Sequence, residues 1–259
     1  HRKIAVIDRR IAYTGSMNIA DPLYFKKDAG VGQWVDAMVR IEGPAAWVLE
    51  AVSLSLTSLQ TGAHFAPQPM PQLPLAGSGQ VQVFPSGPES AKVPIDAVLL
   101  AAIYAARREI VLTTPYFVPS PALLTAMRSA ALRGVRVVLI VPERGDSRLV
   151  RYASEAFNED LLSVGVTILH FQSGLLHTKS MVVDEEFTIF GTVNLDLRSF
   201  ELNFEVSIMA FDREFSLATR ALQRSYENRS RCLSLDEWRT RPRARRLLEN
   251  AVQTMSPLL

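Results

Sequence analysis

One pattern of six fixed positions occurs twice in this chain. Residues 1–21 read HRKIAVIDRRIAYTGSMNIAD and residues 177–197 read HTKSMVVDEEFTIFGTVNLDL, so H-x-K-x4-D-x6-G-[ST]-x-N is written once at the start and once past the middle. The register is strict: His1 and His177, Lys3 and Lys179, Asp8 and Asp184, Gly15 and Gly191, Ser16 and Thr192, Asn18 and Asn194 are each 176 residues apart. An ungapped internal repeat of this kind calls for two equivalent structural units, and it limits the fold more tightly than any composition value. A chain of 259 residues has room for both. About a hundred residues of domain-like sequence precede the second motif and none precede the first. The chain therefore reads as a C-terminal fragment of a longer protein, with its first unit truncated.

Around each motif the patterning is that of paired strands. KIAVID and IAYT in the first copy, MVVD and FTIF in the second, are short β-rich runs separated by charged residues. Period-2 alternation puts His1 and Lys3 on one face of a strand, and His177 and Lys179 likewise. Alternation from Trp34 to Ile41 predicts a further strand, and residues 45–60 a helix. Residues 61–79, TGAHFAPQPMPQLPLAGSG, hold four prolines and three glycines without periodicity, which marks a linker and a boundary near residue 79. Beyond it, strands at 81–84, 109–114, 135–141, 166–171 and 203–211 alternate with helices at 90–107, after Ser120-Pro121, and at 147–163, with the remainder from Arg213 helical. The expected class is α/β: two α/β sandwich units related by a pseudo-twofold axis, 1–79 and 80–259.

Convergence of the two motifs about such an axis would gather two imidazoles, two ammonium groups, two hydroxyls and two carboxamides. All of these donate hydrogen bonds and two carry fixed positive charge, so the natural guest is a phosphoryl group. Histidine, with an unperturbed pKa of ~6.5, suits both nucleophilic attack and proton transfer to a leaving oxygen. No carboxylate cluster with metal spacing accompanies the motif, so metal-free chemistry with no cofactor is expected. Asp8 and Asp184 complete the pattern as catalytic candidates, although alternation equally allows them to be charge partners at strand ends. A histidine at work also needs an acceptor on its other ring nitrogen. Asp36 and Glu205, on the strands after the two motifs and 169 residues apart, are the candidates.

The doubled H-x-K-x4-D pattern resembles the phospholipase D superfamily. The flanking stretches GSMNIAD, VGQWVDAMVRIEGP, TTPYFVPS, GLLHTKSMVVD, GTVNLDLRSFELNFE and RLLENAVQTMSPLL resemble the bacterial cardiolipin synthases within it. The resemblance implies a phosphatidyl transferase that makes cardiolipin and glycerol from two phosphatidylglycerols through a phosphohistidine, with His1 as nucleophile and His177 as general acid and then base. It further implies that Lys3, Lys179, Asn18 and Asn194 hold the phosphate oxygens, with Ser16 and Thr192 assisting. Tyr116, at the carboxyl end of a buried strand, is a further candidate for substrate contact. The same chemistry also permits hydrolysis of phospholipid or nucleic acid, and the fragment by itself could be inactive.

The remaining features set limits. A formal net charge of +2 gives no reason to expect nucleic acid, so the expected partners are phosphatidylglycerol and an anionic membrane surface. The longest apolar run, residues 97–106, is half the roughly 20 residues of a membrane span. The expected location is a bacterial cytoplasmic membrane, with anchors supplied upstream. Cys232 is the one cysteine and reads as a small buried hydrophobe. The basic run RTRPRARR at 239–246 either meets anionic lipid or forms a solvated helix face. Arg198 and Ser199 either contact a head group or cap a helix.

Overall fold

The computed structural model describes residues 1–21, 29–63, 65, 69, 75, 77–88 and 94–254. Its first elements are β1 (Ile4–Ile7), β2 (Ile11–Gly15), β3 (Trp34–Val35), β4 (Met38–Glu42) and α1 (Pro44–Thr61). β1, β2 and β4 make an antiparallel sheet in that order. α1 lies against it and buries Ala46, Leu49 and Val52, with Pro44 in the first turn, where its missing N–H leaves nothing unsatisfied.

The second stretch opens with β5 (Gln80–Ser86), α2 (Ile95–Ala105), β6 (Glu109–Thr113), β7 (Phe117–Val118), α3 (Pro121–Leu132) and β8 (Arg136–Pro142). It continues with α4 (Arg148–Glu155), α5 (Asn158–Ser163), β9 (Thr167–Phe171), β10 (Leu175–Leu176), β11 (Ser180–Val183), β12 (Phe187–Gly191) and β13 (Leu195–Asp196). It closes with α6 (Leu197–Glu201), β14 (Glu205–Phe211), α7 (Arg213–Glu227), β15 (Ser230–Cys232), α8 (Leu235–Arg239) and α9 (Arg243–Thr254). Eight strands form one mixed sheet in the order β15-β9-β8-β6-β11-β12-β14-β5. β6, β8 and β9 run parallel, and β11 is antiparallel to β6. The amino end of β11 thus lies beside the carboxyl ends of the parallel strands, where α/β sheets place ligands. The apolar run of β8 is buried on both faces, as a strand covered by helices requires.

The two sheets share a core. Ala12, Val39, Ile41, Ala46 and Leu49 from the first pack with Phe190, Val206 and Ile208 from the second. At about 25 cal/mol per Å² of apolar surface removed from water, a shared cluster of this kind couples the folding of the two sheets.

Several expectations are corrected. The strand predicted over Trp34–Ile41 is broken at Asp36-Ala37, because the Ser16 N–H donates to the Ala37 carbonyl and the Ser16 hydroxyl accepts from the Ala37 N–H, turning the chain. The helix predicted over 147–163 is two helices that meet at Ala156-Phe157. The tail from Arg213 is not all helical: β15 pairs with β9 as the sheet's edge strand. Cys232 on that edge is exposed, not buried. The basic run is largely consumed by ion pairs: Arg241 and Arg245 both reach Glu249, Arg245 also reaches Glu155, and Arg239 and Arg246 reach Glu159. These pairs dock α9 onto α4 and α5. Most of the predicted linker at 61–79 and the first residues of the helix predicted from 90 lie outside the described residues.

Candidate active site

The parallel pairing of β3 with β10 sets the centre of the site. Trp34 lies opposite Leu175 and Val35 opposite Leu176, so the next residue on each strand, Asp36 and His177, emerges beside the other. The His177 N–H donates to the Val35 carbonyl at 2.9 Å, and His177 Nδ1 lies 2.6 Å from Asp36 Oδ1. The first motif does the same on the other side. The His1 main-chain nitrogen donates to the Phe204 carbonyl at 2.7 Å, and His1 Nδ1 lies 2.8 Å from Glu205 Oε1. Each histidine is thus held through Nδ1 by the carboxylate of the other unit, which leaves Nε2 outside that pair. This reciprocity is what a two-fold relation generates.

The motif hydroxyls complete the same arrangement. Ser16 donates to Asp36 at 2.6 Å and accepts from the Ala37 N–H at 3.0 Å; Thr192 donates to Glu205 and accepts from the Val206 N–H at 2.9 Å. Both are fully buried. The expectation that Ser16 and Thr192 assist in holding phosphate is therefore corrected: their protons are committed to carboxylates, and they fix the groups that fix the histidines. Asn203 adds a third hydrogen bond to Glu205 at 3.3 Å.

The two carboxyl groups are shifted in opposite directions. Burial pushes both up, but the hydrogen bonds from His177 and Ser16 outweigh it at Asp36 and hold that carboxyl below its ordinary range. At Glu205, which has no exposed surface, burial wins over the Thr192 hydrogen bond and the nearby positive charge, and its pKa is raised. His177, itself 3% exposed, is lowered to about 4 by burial and then by Lys179, against the opposing pull of Asp36. It is neutral near pH 7.

The lysines converge as well. Lys3 Nζ donates to the His1 carbonyl at 2.7 Å and Lys179 Nζ to the His177 carbonyl at 2.6 Å. Burial followed by the charge of Lys3 brings Lys179 down to about 7, while Asp36, Glu205 and Asp196 pull it back up. Two ammonium groups that disfavour each other favour an anion beside them. Asn194 is buried, and its Oδ1 has no hydrogen-bond partner; Asn18 is half-buried in the equivalent position.

Other candidates fall further out. Tyr116 donates to Asp146 at 2.8 Å, and burial followed by that carboxylate raises its pKa. Its carbonyl accepts from Thr114 Oγ1, which in turn accepts from the Leu195 N–H, so its loop is tied to the segment after Asn194. The expectation that Asp8 and Asp184 are catalytic is corrected. Both lie in the hairpin turns after β1 and β11, where Asp8, Arg9, Asp184 and Glu185 have φ of 52°, 58°, 55° and 58°. Aspartate tolerates that left-handed backbone better than most residues. Asp184 accepts from the N–H groups of Arg107, Arg108 and Glu109 at 2.9, 2.8 and 2.8 Å, tying the turn to the start of β6. Replacing Asp184 by alanine is expected to destabilise the fold by about 1–3 kcal/mol while leaving the rate per folded molecule unchanged. Denaturant unfolding alongside an activity assay checks this; a rate loss without a stability loss would restore Asp184 to the chemistry.

Sequence reasoning missed Trp34, whose ring meets His177 edge-on at 4.6 Å between centroids, and Asp196. The Asp196 carboxylate caps α6 by accepting from Ser199 N–H at 2.6 Å and is buried, with its pKa raised by that burial. Ser199 therefore sits under a cap, and Arg198 is exposed. The signal for Trp34 was present: Trp34 and Asn203, Val35 and Phe204, Asp36 and Glu205 all share the 169-residue offset. Among the described residues, no group of three or more His, Cys, Asp or Glu is placed to hold a metal ion.

The fold and the crossed pair of motifs resemble those of phospholipase D family members. Residues 99–226 match the family described as cardiolipin synthase, PLD-like domain. Over 264 aligned residues the chain is 47% identical to cardiolipin synthase A of Pectobacterium carotovorum and 48% identical to that of Proteus mirabilis. These alignments cover 100% of this chain and 54% of each relative, so the chain spans about half their length. Among solved structures, phosphatidylserine synthase of Haemophilus influenzae superposes with a TM-score of 0.73 at 14% identity, covering 100% of this chain and 71% of that one. NUC of Salmonella typhimurium, a phospholipase D family member, gives 0.52 at 21% identity over 61% of this chain and 99% of its own. At these identities the two structures speak to the fold.

Proposed function

We propose that the protein is a phosphatidyl transferase of the cardiolipin synthase type, made of a first unit through residue 79 and a second from residue 80. It acts at the cytoplasmic membrane of a bacterium on phosphatidylglycerol. The observation that carries this reading is the reciprocal bracing of His1 by Glu205 and His177 by Asp36, which turns both imidazoles and both motif lysines toward one pocket. In the first half-reaction an imidazole Nε2 bonds to phosphorus as the bond from phosphorus to the glycerol oxygen breaks, and the other imidazole gives that oxygen its proton. In the second, the hydroxyl of another phosphatidylglycerol gives its proton to that imidazole and its oxygen displaces the first histidine, leaving cardiolipin. Lys3, Lys179, Asn18 and Asn194 stabilise charge on the phosphoryl oxygens, and Tyr116 borders the head group.

His1 attacks and His177 donates the proton in the order that the family resemblance implies. The reverse order is favoured by one observation: burial keeps His177 neutral, the form a nucleophile needs. Trapping the phosphoenzyme and finding which histidine carries the label separates the two orders. The overall reading is tested by incubating the purified protein with phosphatidylglycerol vesicles. Cardiolipin and free glycerol in equal amounts are expected, and phosphatidic acid as the sole lipid product would replace transfer by hydrolysis.

A further inference from the structure

A small cleft lies beside the site, between β8, β9 and the junction of α4 with α5. It measures about 40 Å³, and its lining includes Tyr116, Glu143, Arg151, Ser154, Asn158 and His170. All six belong to the second unit, and Tyr116, Glu143 and His170 stand at the carboxyl ends of β6, β8 and β9, where α/β sheets bind ligands. Tyr116 joins the cleft to the phosphate site. β7 pairs with β13 in parallel, with Phe117 opposite Leu195, so the residues one step earlier, Tyr116 and Asn194, are neighbours across the two strands. Tyr116 therefore has a phosphate candidate beside it and also lines the cleft.

The polar groups of the cleft are of two kinds. The charged ones are matched: Arg151 pairs with Glu155 at 2.8 Å and Glu143 with Arg231 at 3.8 Å, while the Tyr116 hydroxyl donates to Asp146. The uncharged ones are not. Among the described residues Ser154, Asn158 and His170 make no side-chain hydrogen bond, although Asn158 is only 4% exposed. A carboxamide buried to that degree costs stability unless something in the cleft supplies a partner. Burial, then the charge of Arg231, lowers the pKa of His170 and keeps its imidazole neutral. A hydroxyl, a carboxamide and a neutral imidazole can each donate and accept, which suits an uncharged guest bearing hydroxyls better than an ammonium or a phosphate.

We propose that this cleft seats the free end of a glycerol head group, that of the phosphatidylglycerol whose phosphorus is attacked. The inference rests on the proposed function, in which that glycerol leaves. Its far end is a hydroxymethyl group, and a space of this size holds roughly one such group or one to two waters. The glycerol of the accepting lipid carries its own phosphate at the far end and does not fit.

Vesicles holding phosphatidylglycerol and phosphatidylpropanol in equal amounts test this, since the propanol head group lacks both free hydroxyls and the two donors face the same acceptors. The initial ratio of glycerol to propanol released reads recognition of the leaving group and does not depend on how much of a variant is folded. The wild type is expected to release glycerol in about tenfold excess. Ser154→Val and Asn158→Leu should each bring the ratio severalfold closer to parity, through loss of a hydrogen bond to the guest. Ser154 is half-buried near the end of α4, so its variant gives the answer if Asn158→Leu fails to fold. Parity in the wild type overturns the proposal, as does a ratio unchanged in both variants, which would leave water as the guest of the cleft. Release of neither alcohol by the wild type would overturn the enzymatic reading. Nuclear magnetic saturation transfer from the wild type to free glycerol, lost in Ser154→Val, would then leave a polyol site standing, and its absence would remove both.

Discussion

Replacing either His1 or His177 by alanine is expected to lower turnover of a phosphodiester by at least about 10³-fold, and replacing both is expected to cost no more than replacing one. The two imidazoles act on one bond in one step, so removing the second removes nothing once the first is gone. The crossed bracing adds a more particular expectation. Glu205→Gln should impair the chemistry of His1, which belongs to the other motif, and Asp36→Asn that of His177, each by about 10²–10⁴-fold through loss of imidazole orientation and tautomer. Glu205→Gln should add little to His1→Ala and keep its full effect in a background that retains both histidines. Steady-state kinetics of the single and double variants on a soluble phosphodiester measures this. Full additivity between Glu205 and His1 would contradict the pairing seen at 2.8 Å.

The second large effect is on stability. His177 titrates at about 4 in the folded state against an ordinary value of 6.5, so between those values the unfolded chain holds the extra proton. Unfolding free energy should consequently fall as pH drops from 6.5 toward 4, and this residue alone should account for about 3 kcal/mol of the fall. Lys179 acts in the same direction at higher pH. Its folded value of about 7 lies below its ordinary 10.5, so its penalty grows as pH falls from 10.5 and is near full size at 7. Urea unfolding across pH 4–8 should give a visibly flatter profile for His177→Asn than for the wild type. Profiles of equal slope would mean that His177 keeps its proton when folded.

Much of the site was legible before any fold was known, because an ungapped repeat reports equivalence directly. The histidines and lysines that the structure brings together were read from spacing, and Asp36 and Glu205 from their strands. Spacing could not reveal which carboxylate faces which histidine. The 169-residue offset says that Asp36 and Glu205 are equivalent, whereas the pairing of β3 with β10 decides that Asp36 meets His177, and that contact joins residues 141 apart. The hydroxyls misled for a related reason: Ser16 and Thr192 look like phosphate ligands until their burial beside a carboxylate is seen. The missed strand β15 is three residues long, too short to show a period, and it exists because β9 offers it an edge. Asp184 looked like chemistry because it repeats, yet a turn that repeats preserves its turn residue just as faithfully.

The exchange of carboxylates between the two halves also bears on how such a chain can change. A half carrying one motif and one carboxylate cannot brace its own histidine, so alone it could complete a site only by meeting a copy of itself. In that arrangement any substitution would strike both histidines at once and the two would remain identical. Joining the halves in one polypeptide removes that bond. Here one acceptor is an aspartate held ionised by its hydrogen bonds and the other a glutamate raised by burial. Duplication followed by fusion thus lets the two sides of a symmetric pocket be tuned apart, one substitution at a time.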